Sequence, residues 1–375
     1  MKTAIAVIGA NFGDEGKGKT VDFLADTSTL VVRYNGGAQA GHTVQVGGLR
    51  HIFSHWGSGT FKTAPTYFSR FTIVNPEVWV QEREELRKLL FGALPDFFLS
   101  TQALLTTPYD MWINQRIEKA RGGARHGSCG LGINETVVRN QHPEFSTIAW
   151  DMRTPGWLRG KLQRIREEWV PRRLGELGLH GLDAGSWFVP SLEEEFFQAV
   201  GQMGYAVQWE SEAILGDFEK VIFEGAQGLL LDEHHRFFPH VTRSRPGMHN
   251  VMKIVDQVGI DTVDVRYVTR TYLTRHGEGP FPTADFPAQF DKTNHSNPWQ
   301  GSMRFGELNI PLLKESITED RKAEGRALKQ PSLVINHFDQ HHGPWALTDE
   351  IERGTELRAL LCSDGPDRSK FFTRV

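Results

Sequence analysis

Thr3-Ala4-Ile5-Ala6-Val7-Ile8-Gly9-Ala10-Asn11-Phe12-Gly13-Asp14-Glu15-Gly16-Lys17-Gly18-Lys19-Thr20 is the stretch whose reading decides the fold. Ala4 to Ile8 is an unbroken apolar run, which fits a short strand buried on both faces. Val21, Phe23, Leu24 and Ala25 follow at helical spacing, so a helix is predicted to start near Gly16. Strand, glycine-rich turn and helix together hold a phosphate chain. The glycines let the backbone approach, N–H groups converge, and the helix N-terminus adds partial positive charge. Lys17 and Lys19 add full charges. Asp14 is the odd member, because a carboxylate repels phosphate unless it binds Mg²⁺ or takes a proton. Gly13-x-x-x-x-Gly18-Lys19-Thr20 satisfies the general P-loop pattern. Gly13, however, lies five residues beyond Ile8, where a P-loop's first glycine usually follows its strand at once. A structural glycine turn is the plain alternative.

Outward from this stretch, Leu30 to Tyr34 reads as a second strand. Strand-helix-strand alternation predicts a parallel sheet with right-handed crossovers. The chain has 375 residues, 39% hydrophobic and 23% charged, ordinary for a globular protein and enough to bury a large core. A single domain over residues 1–375 is expected. A net charge of −4 gives no global basic field for nucleic acid. Two cysteines, Cys129 and Cys362, make no disulfide framework and suit a reducing cytoplasm. The first strand follows directly on Lys2, so no secretory leader is expected, and no apolar run approaches membrane-spanning length. Gln81 to Leu90 reads as a helix. Leu158, Leu162, Ile165 and Trp169 share a helical face in a Trp- and Arg-rich stretch, which argues a packing helix rather than a nucleic-acid surface. Ser191-Leu192-Glu193-Glu194 starts another helix as a capping box.

Gly13-Asp14-Glu15-Gly16-Lys17-Gly18-Lys19, followed by Arg33-Tyr34-Asn35-Gly36-Gly37-Ala38-Gln39-Ala40-Gly41-His42-Thr43, closely resembles the adenylosuccinate synthetase family. Three further blocks carry the resemblance: Phe223-Glu224-Gly225-Ala226-Gln227-Gly228 with Pro239-His240-Val241-Thr242, then Thr274-Arg275-His276-Gly277-Glu278-Gly279-Pro280-Phe281-Pro282-Thr283, then Ser363-Asp364-Gly365-Pro366-Asp367-Arg368. Matching segments run from residue 4 to residue 368. The resemblance implies an α/β fold with a large, mostly parallel central sheet flanked by helices and a P-loop-like nucleotide-binding site. It also implies a homodimer that ligates L-aspartate to C6 of a purine nucleotide with GTP and Mg²⁺.

The residue roles are carried over position by position. Asp14, His42 and Lys17 would be catalytic. Asp14 would take the N1 proton of the purine and, with the Gly41 carbonyl, hold Mg²⁺. Lys17 would stabilise the transferring phosphoryl group, and His42 would donate to the transferred oxygen. GTP would be held by Gly13, Glu15, Gly16, Lys17, Gly18, Lys19, Gly41, His42 and Thr43, and by His337, Asp339, Ser363 and Gly365. An Asp at position 339, after the apolar run Ser332 to Ile335, accepts two hydrogen bonds from guanine N1 and N2. The substrate nucleotide would meet Asp14, Gln39, Ala40, Ser128, Cys129, Arg139, Gln227, Thr242 and His276. Ser128 and Cys129 lie in a basic, glycine-rich loop, Arg121 to Ile133, and replace two family threonines; a thiol is a poor phosphate donor. Arg139 would reach across the dimer interface to the nucleotide phosphate. Aspartate would meet Gln300, Gly301, Ser302, Met303 and Arg304, where only one of the family's four arginines survives. Bidentate arginine is how such a loop grips a carboxylate, so one arginine grips less unless Lys292, Arg321 or another residue compensates.

The acceptor nucleotide is IMP or dGMP on this reading. A viral branch of the family makes the diaminopurine precursor from dGMP, often with Ser at the Asp14 position and with ATP; this chain keeps Asp14 and Asp339. Gln39 for Asn, Cys129 for Thr and Ser302 for Arg are the departures at the nucleotide site. Two other classes are carried as alternatives. One is a GTP-binding switch built on Gly13 to Thr20 and Asn336-His337-Phe338-Asp339, which leaves Gln227 and Thr242 idle. The other is an inactive nucleotide-binding regulator, suggested by the reduced arginine loop. A metal cluster at His337, Asp339, His341 and His342 is weighed against ordinary turn histidines.

Overall fold

The structure is a computed structural model that describes residues 3–122, 127–179, 190–284, 286, 303–322 and 329–374. Among these, ten strands form one sheet, ordered Phe371–Thr373, Ala359–Ser363, Lys329–Asn336, Val263–Arg270, Thr3–Gly9, Lys220–Gly228, Thr29–Arg33, Thr66–Phe68, Phe97–Leu99 and Gln208–Trp209. All neighbours pair in parallel except Phe371–Thr373, which runs antiparallel to Ala359–Ser363. The expected α/β class and mostly parallel sheet are therefore present. The opening strand Thr3–Gly9 lies in the interior of the sheet, between Lys220–Gly228 and Val263–Arg270.

The period of two explains why these strands are apolar throughout. Ala4, Ala6 and Ile8 point into one core cluster, while Ile5 and Val7 point into another. Leu30 and Val32 share the first cluster and Val31 the second; Val221 and Phe223 divide from Ile222 in the same way. A strand covered on both faces reads as a continuous hydrophobic run. Each fully buried Val, Leu, Ile or Phe contributes about 1.5–3 kcal/mol relative to exposure. A further cluster, around Trp56, Trp79, Phe97 and Trp169, packs helices under the end of the sheet that carries Phe97–Leu99.

Several element boundaries differ from expectation. The helix read at Gln81 starts earlier, at Pro76, and runs to Leu89, because the Asn75 side chain accepts from Glu77 N and Val78 N and Pro76 suits the first turn. The helix read from Ser191 runs Pro190–Ala206, so Ser191 is inside it rather than its cap. Two further strands, Val263–Arg270 and Tyr272–His276, are separated where Thr271 donates N–H to Asn336 O and Oγ1 to His337 O. Leu158, Leu162, Ile165 and Trp169 are buried as expected, across the helix Pro155–Arg164 and the π-turn Ile165–Trp169. No helix among the described residues is long and apolar enough to cross a membrane.

Parallel pairing brings the C-terminal ends of the strands to one edge. Gly9, Arg33, Gly228, Arg270, Asn336 and Ser363 end there, and the loops that follow carry most of the candidate residues. Ligands of open α/β sheets bind at such an edge.

Candidate active site

The loop after Thr3–Gly9 is held from inside. Glu15 is 0% exposed, and its Oε1 accepts from Asn11 N (3.1 Å) and Gly13 N (2.8 Å). Lys17 Nζ donates to Glu15 Oε2 at 2.7 Å. A Cβ on Gly9 would sit 2.4 Å from Glu15 Oε2 and 2.7 Å from Lys17 Nζ, so this ion pair needs glycine beneath it. Gly13, Asp14 and Gly16 take positive φ (96°, 61° and 91°), which aspartate tolerates better than most residues. Asn336 Nδ2 donates to Glu15 O at 2.7 Å, tying the loop to the end of Lys329–Asn336. The helix Lys17–Leu24 starts at Gly16 without a side-chain cap, so its first N–H groups face the loop. Glu15 and Lys17, both expected on GTP, are thus paired with each other.

Lys19 joins two parts of the site. Its Nζ donates to Gly365 O at 2.7 Å and to Ser363 Oγ. Burial lowers its pKa to about 8, against the pull of Asp339 and Asp364. Asp339 and Asp364 line an open cleft of about 500 Å³ with Phe338, Pro344, Trp345 and Phe372. Phe338, Trp345 and Phe372 contact one another edge-on or tilted. Aromatic walls and carboxylates suit a base with N–H donors. His337 has φ 68° and its Nε2 accepts from Arg270 Nη2 at 2.7 Å. Burial, Arg270 and Lys19 push its pKa well down, so it stays a neutral ring engaged with Arg270. No group of three or more metal-ligating side chains stands among the described residues, the histidines of this turn included.

His42 begins a hairpin, His42–Val46 against Leu49–Phe53. Its Nδ1 lies 2.6 Å from Glu224 Oε1. Glu224, 0% exposed, also accepts from Ser58 N (3.0 Å) and Ser58 Oγ. Burial alone would raise the Glu224 carboxyl, but His42, Arg33 and Ser58 hold it at about 2. Burial keeps His42 below the usual imidazole range. We read the pair as an ionised Glu224 accepting the Nδ1–H of a neutral ring. The hairpin tip is tied down where Gly47 N donates to Asp367 Oδ2 at 3.0 Å.

The second glycine turn is clamped to the strand carrying Gln227. Asn35 Oδ1 accepts from Ala226 N (2.8 Å) and Asn35 Nδ2 donates to Ala226 O (2.9 Å). Gln227 takes φ 66°, and its Oε1 lies 3.6 Å from where a Cβ of Gly13 would be. Both amide atoms of Gln39 are buried with no hydrogen-bond partner. Asp14 Oδ2 lies 3.4 Å from His276 Nε2, with about a quarter of each side chain exposed. Gly41 is exposed and Ala40 buried. Thr43 pairs across the hairpin with Ile52, and Thr242 donates its N–H to Leu231 O.

Other expected residues lie elsewhere. Ser128 Oγ accepts from Asn114 Nδ2 on the helix Pro108–Arg121, and burial raises the Cys129 thiol to about 11. Arg139 corrects the reading given it: it is 0% exposed and pairs with Asp110 through Nε (2.9 Å) and Nη2 (2.8 Å). It also donates to Phe145 O and Leu105 O, and so braces the core around the helix Pro108–Arg121. Arg304, expected on aspartate, lies in a short hairpin. The strand Met303–Glu307 pairs with Tyr272–His276, setting Met303 opposite His276 and Arg304 opposite Arg275. Arg304 donates to Gly279 O (3.0 Å) and Gly277 O (2.7 Å), which occupies both its Nη atoms on a turn. Arg321 ends the helix Ile310–Lys322. Gln300, Gly301, Ser302 and Lys292 lie outside the described residues.

Glu224 and Asn35 position the site although neither is among the expected site residues, and Asn336, expected only in the guanine signature of the alternative switch, ties down the phosphate loop. For Glu224 a signal existed: a carboxylate in the buried run Lys220 to Gly228 must have a partner.

Residues 6–318 match the family described as adenylosuccinate synthetase. The adenylosuccinate synthetase of Xanthomonas campestris pv. campestris (strain B100) is 32% identical over 289 residues, 76% of this chain and 65% of that protein. That of Synechococcus elongatus (strain ATCC 33912 / PCC 7942 / FACHB-805) is 37% identical over 287 residues, 74% of this chain and 62% of the relative. The chain thus spans just under two thirds of the length of the curated relatives it matches. Fully ligated adenylosuccinate synthetase from Plasmodium falciparum superposes with a TM-score of 0.77 at 18% identity, covering 100% of both chains. Cyanophage S-2L succinoaminodeoxyadenylate synthetase (PurZ), bound to dGMP and to dATP as an energy donor, gives 0.65 at 15% identity, covering 100% of this chain and 95% of that one. At those identities the two structures speak for the fold alone.

Proposed function

This chain belongs to the adenylosuccinate synthetase family, and from that premise we propose that it is a GTP-dependent ligase joining L-aspartate to C6 of a 6-oxopurine nucleotide, IMP or dGMP. One observation carries the reading. Asp14, the His42–Glu224 pair and the Asp339 cleft stand on separate elements at one sheet edge, the phosphate loop being tied to the cleft side through Lys19 and Asn336. A bare phosphate loop needs none of the other two.

The chemistry solves a leaving-group problem. The 6-oxo carbon is a poor electrophile because oxide leaves badly. Asp14 takes the N1 proton, charge builds on O6, and O6 attacks the γ-phosphorus of GTP with loss of GDP. His42 donates a hydrogen bond to the oxygen being transferred. The amine of aspartate then adds at C6 and phosphate departs, leaving an N6-succinyl nucleotide. Converging N–H groups of the loop and helix N-terminus stabilise the phosphoryl charge. Lys17, held by Glu15, contributes charge from a fixed position. Asp339 accepts from guanine N1–H and N2–H, a pattern adenine lacks.

Mg²⁺ fits the residues present. Asp14 is a carboxylate on the loop with 29% of its side chain exposed, Gly41 is exposed, and Mg²⁺ asks for one or two carboxylates beside phosphates and water. Asp14 and Gly41 would hold it, where it would offset phosphate charge. The reading includes a cytoplasmic homodimer, with a residue other than Arg139 completing any shared phosphate site; sedimentation velocity tests the dimer.

A second reading, dGMP as the acceptor, is favoured by Gln39. Its amide is buried without a partner, and the guanine 2-amino group is the extra donor that distinguishes dGMP from IMP. The test is an absorbance assay with GTP, Mg²⁺ and aspartate, offering IMP, dIMP, GMP and dGMP in parallel. Aspartate-dependent turnover of at least one is expected. GTP hydrolysis indifferent to aspartate, or tight nucleotide binding without turnover, would overturn the ligase reading.

A further inference from the structure

His42 is the one proton-carrying ring in the proposed chemistry, and a ring can point either nitrogen at its substrate. Nδ1 is 2.6 Å from Glu224 Oε1, and the pair is almost wholly buried (7% and 0% exposed). Glu224 sits on the strand Lys220–Gly228, in register with Arg33 on one neighbour and Val7 on the other. The sheet thus fixes its backbone on both sides. Ser58 fixes the carboxylate from the far side, with its N–H on Oε2 and its hydroxyl on Oε1. Every donor around this carboxylate points inward, so both oxygens must be acceptors.

From this geometry we infer that Glu224, with Ser58, is a positioning residue for His42. It fixes the hydrogen on Nδ1 and orients the ring with Nε2 toward the transferred oxygen; Nε2 donates there only as the second N–H of an imidazolium, the form that nucleotide phosphates favour and whose charge Glu224 offsets. The inference rests on the ligase reading for its kinetic consequence, but the tautomer itself does not. A carboxylate is required rather than any polar group. An amide at 224 would turn an NH₂ toward Ser58 N–H or toward the Nδ1–H and hydroxyl pair, and no flip satisfies all three donors.

The test uses the full chain. Glu224→Gln should lower kcat about 10²-fold, the scale of a misplaced catalytic group, with KM for GTP within about threefold, which leaves ground-state binding intact. Ser58→Ala should lower kcat less, about 3- to 10-fold, because Glu224 keeps its bond to His42. In a His42→Asn background, Glu224→Gln should cost nothing further in kcat, since residues acting as a unit are non-additive. Long-range ¹⁵N–¹H correlation on histidine-labelled wild type, assigned with His42→Asn, should read the Nδ1–H tautomer whether or not the protein turns over. Additive kcat losses in the double variant, unchanged kcat in a folded Glu224→Gln protein, or an Nε2–H tautomer in the wild type would each overturn the inference. A wild type without ligase activity that still shows Nδ1–H refutes the reaction and keeps the positioning.

Discussion

Replacing Gly18 with alanine adds one methyl group to the first turn of the helix Lys17–Leu24. That methyl would lie 2.7 Å from His42 Cβ, 3.0 Å from Ser58 Oγ and 3.2 Å from the His42 carbonyl carbon. None of these is the loose end of a long side chain. His42 is pinned by Glu224 and by its hairpin, so restoring contact distance moves His42, the helix, or both by most of an ångström. Overpacking of this kind costs about 1–3 kcal/mol. Alanine returns up to ~1 kcal/mol of helix propensity. The net loss is at most about 2 kcal/mol, and in a chain of this length Tm should fall by no more than roughly 3 °C. Activity should fall much further, because a shift near 1 Å at a catalytic group costs about 10²-fold. Thermal unfolding and steady-state kinetics on the same preparation separate the two effects. A kcat within about threefold of wild type would refute the claim that this packing sets His42. So would a Tm loss beyond about 10 °C, which would mean the strain lands on the fold.

Asp339→Asn should raise KM for GTP about tenfold or more, as expected when a charge-assisted bond of ~1.5–3 kcal/mol is lost; equal use of ATP and GTP by the wild type would contradict the assigned role of the cleft. Arg139→Leu should destabilise by about 3–5 kcal/mol, since Asp110 is left as an unpaired buried charge; chemical denaturation measures this, and a loss of activity at unchanged stability would point back to a functional arginine. Glu82, 4% exposed, is pushed up by burial but held at about 2 by His51 and His55, against an ordinary 4.5. Its contribution is present above pH 4.5 and is lost as pH falls toward 2, so the stability gap between wild type and Glu82→Gln should be about 3 kcal/mol at neutral pH and shrink steadily on acidification. A gap independent of pH would show that Glu82 acts through shape alone.

The strands were legible because burial on both faces leaves a run with no polar interruption, as at Ala4 to Ile8. The loops were legible because a left-handed turn such as Gly16 nearly dictates its residue. Partners were not legible. Arg139 and Arg304 look like ligand-binding arginines by position, and an arginine's fork fits a backbone carbonyl as readily as a substrate carboxylate. Only the fold shows that Asp110 and the Gly277–Gly279 turn take them. The hairpin His42–Phe53 was missed because its two strands are short, half exposed and without a strong alternation. Asn75 capping Pro76 went unread because Asn-Pro marks a turn as well as a helix start.

The pairing of Glu15 with Lys17 bears on how nucleotides arrive. Inside the phosphate loop two carboxylates, Asp14 and Glu15, face two ammonium groups, Lys17 and Lys19. At long range they cancel, and the chain as a whole carries −4. A polyanion drifting nearby meets no attractive field beyond the screening distance of about 8 Å at physiological ionic strength. What captures it is the short-range dipole of aligned N–H groups, which works only on contact. Encounter should therefore be a matter of collision and fit, slow compared with electrostatically guided capture. Added salt should change the association rate by no more than about twofold, and on the proposed reading selectivity among nucleotides is exercised after docking, in how long each one stays.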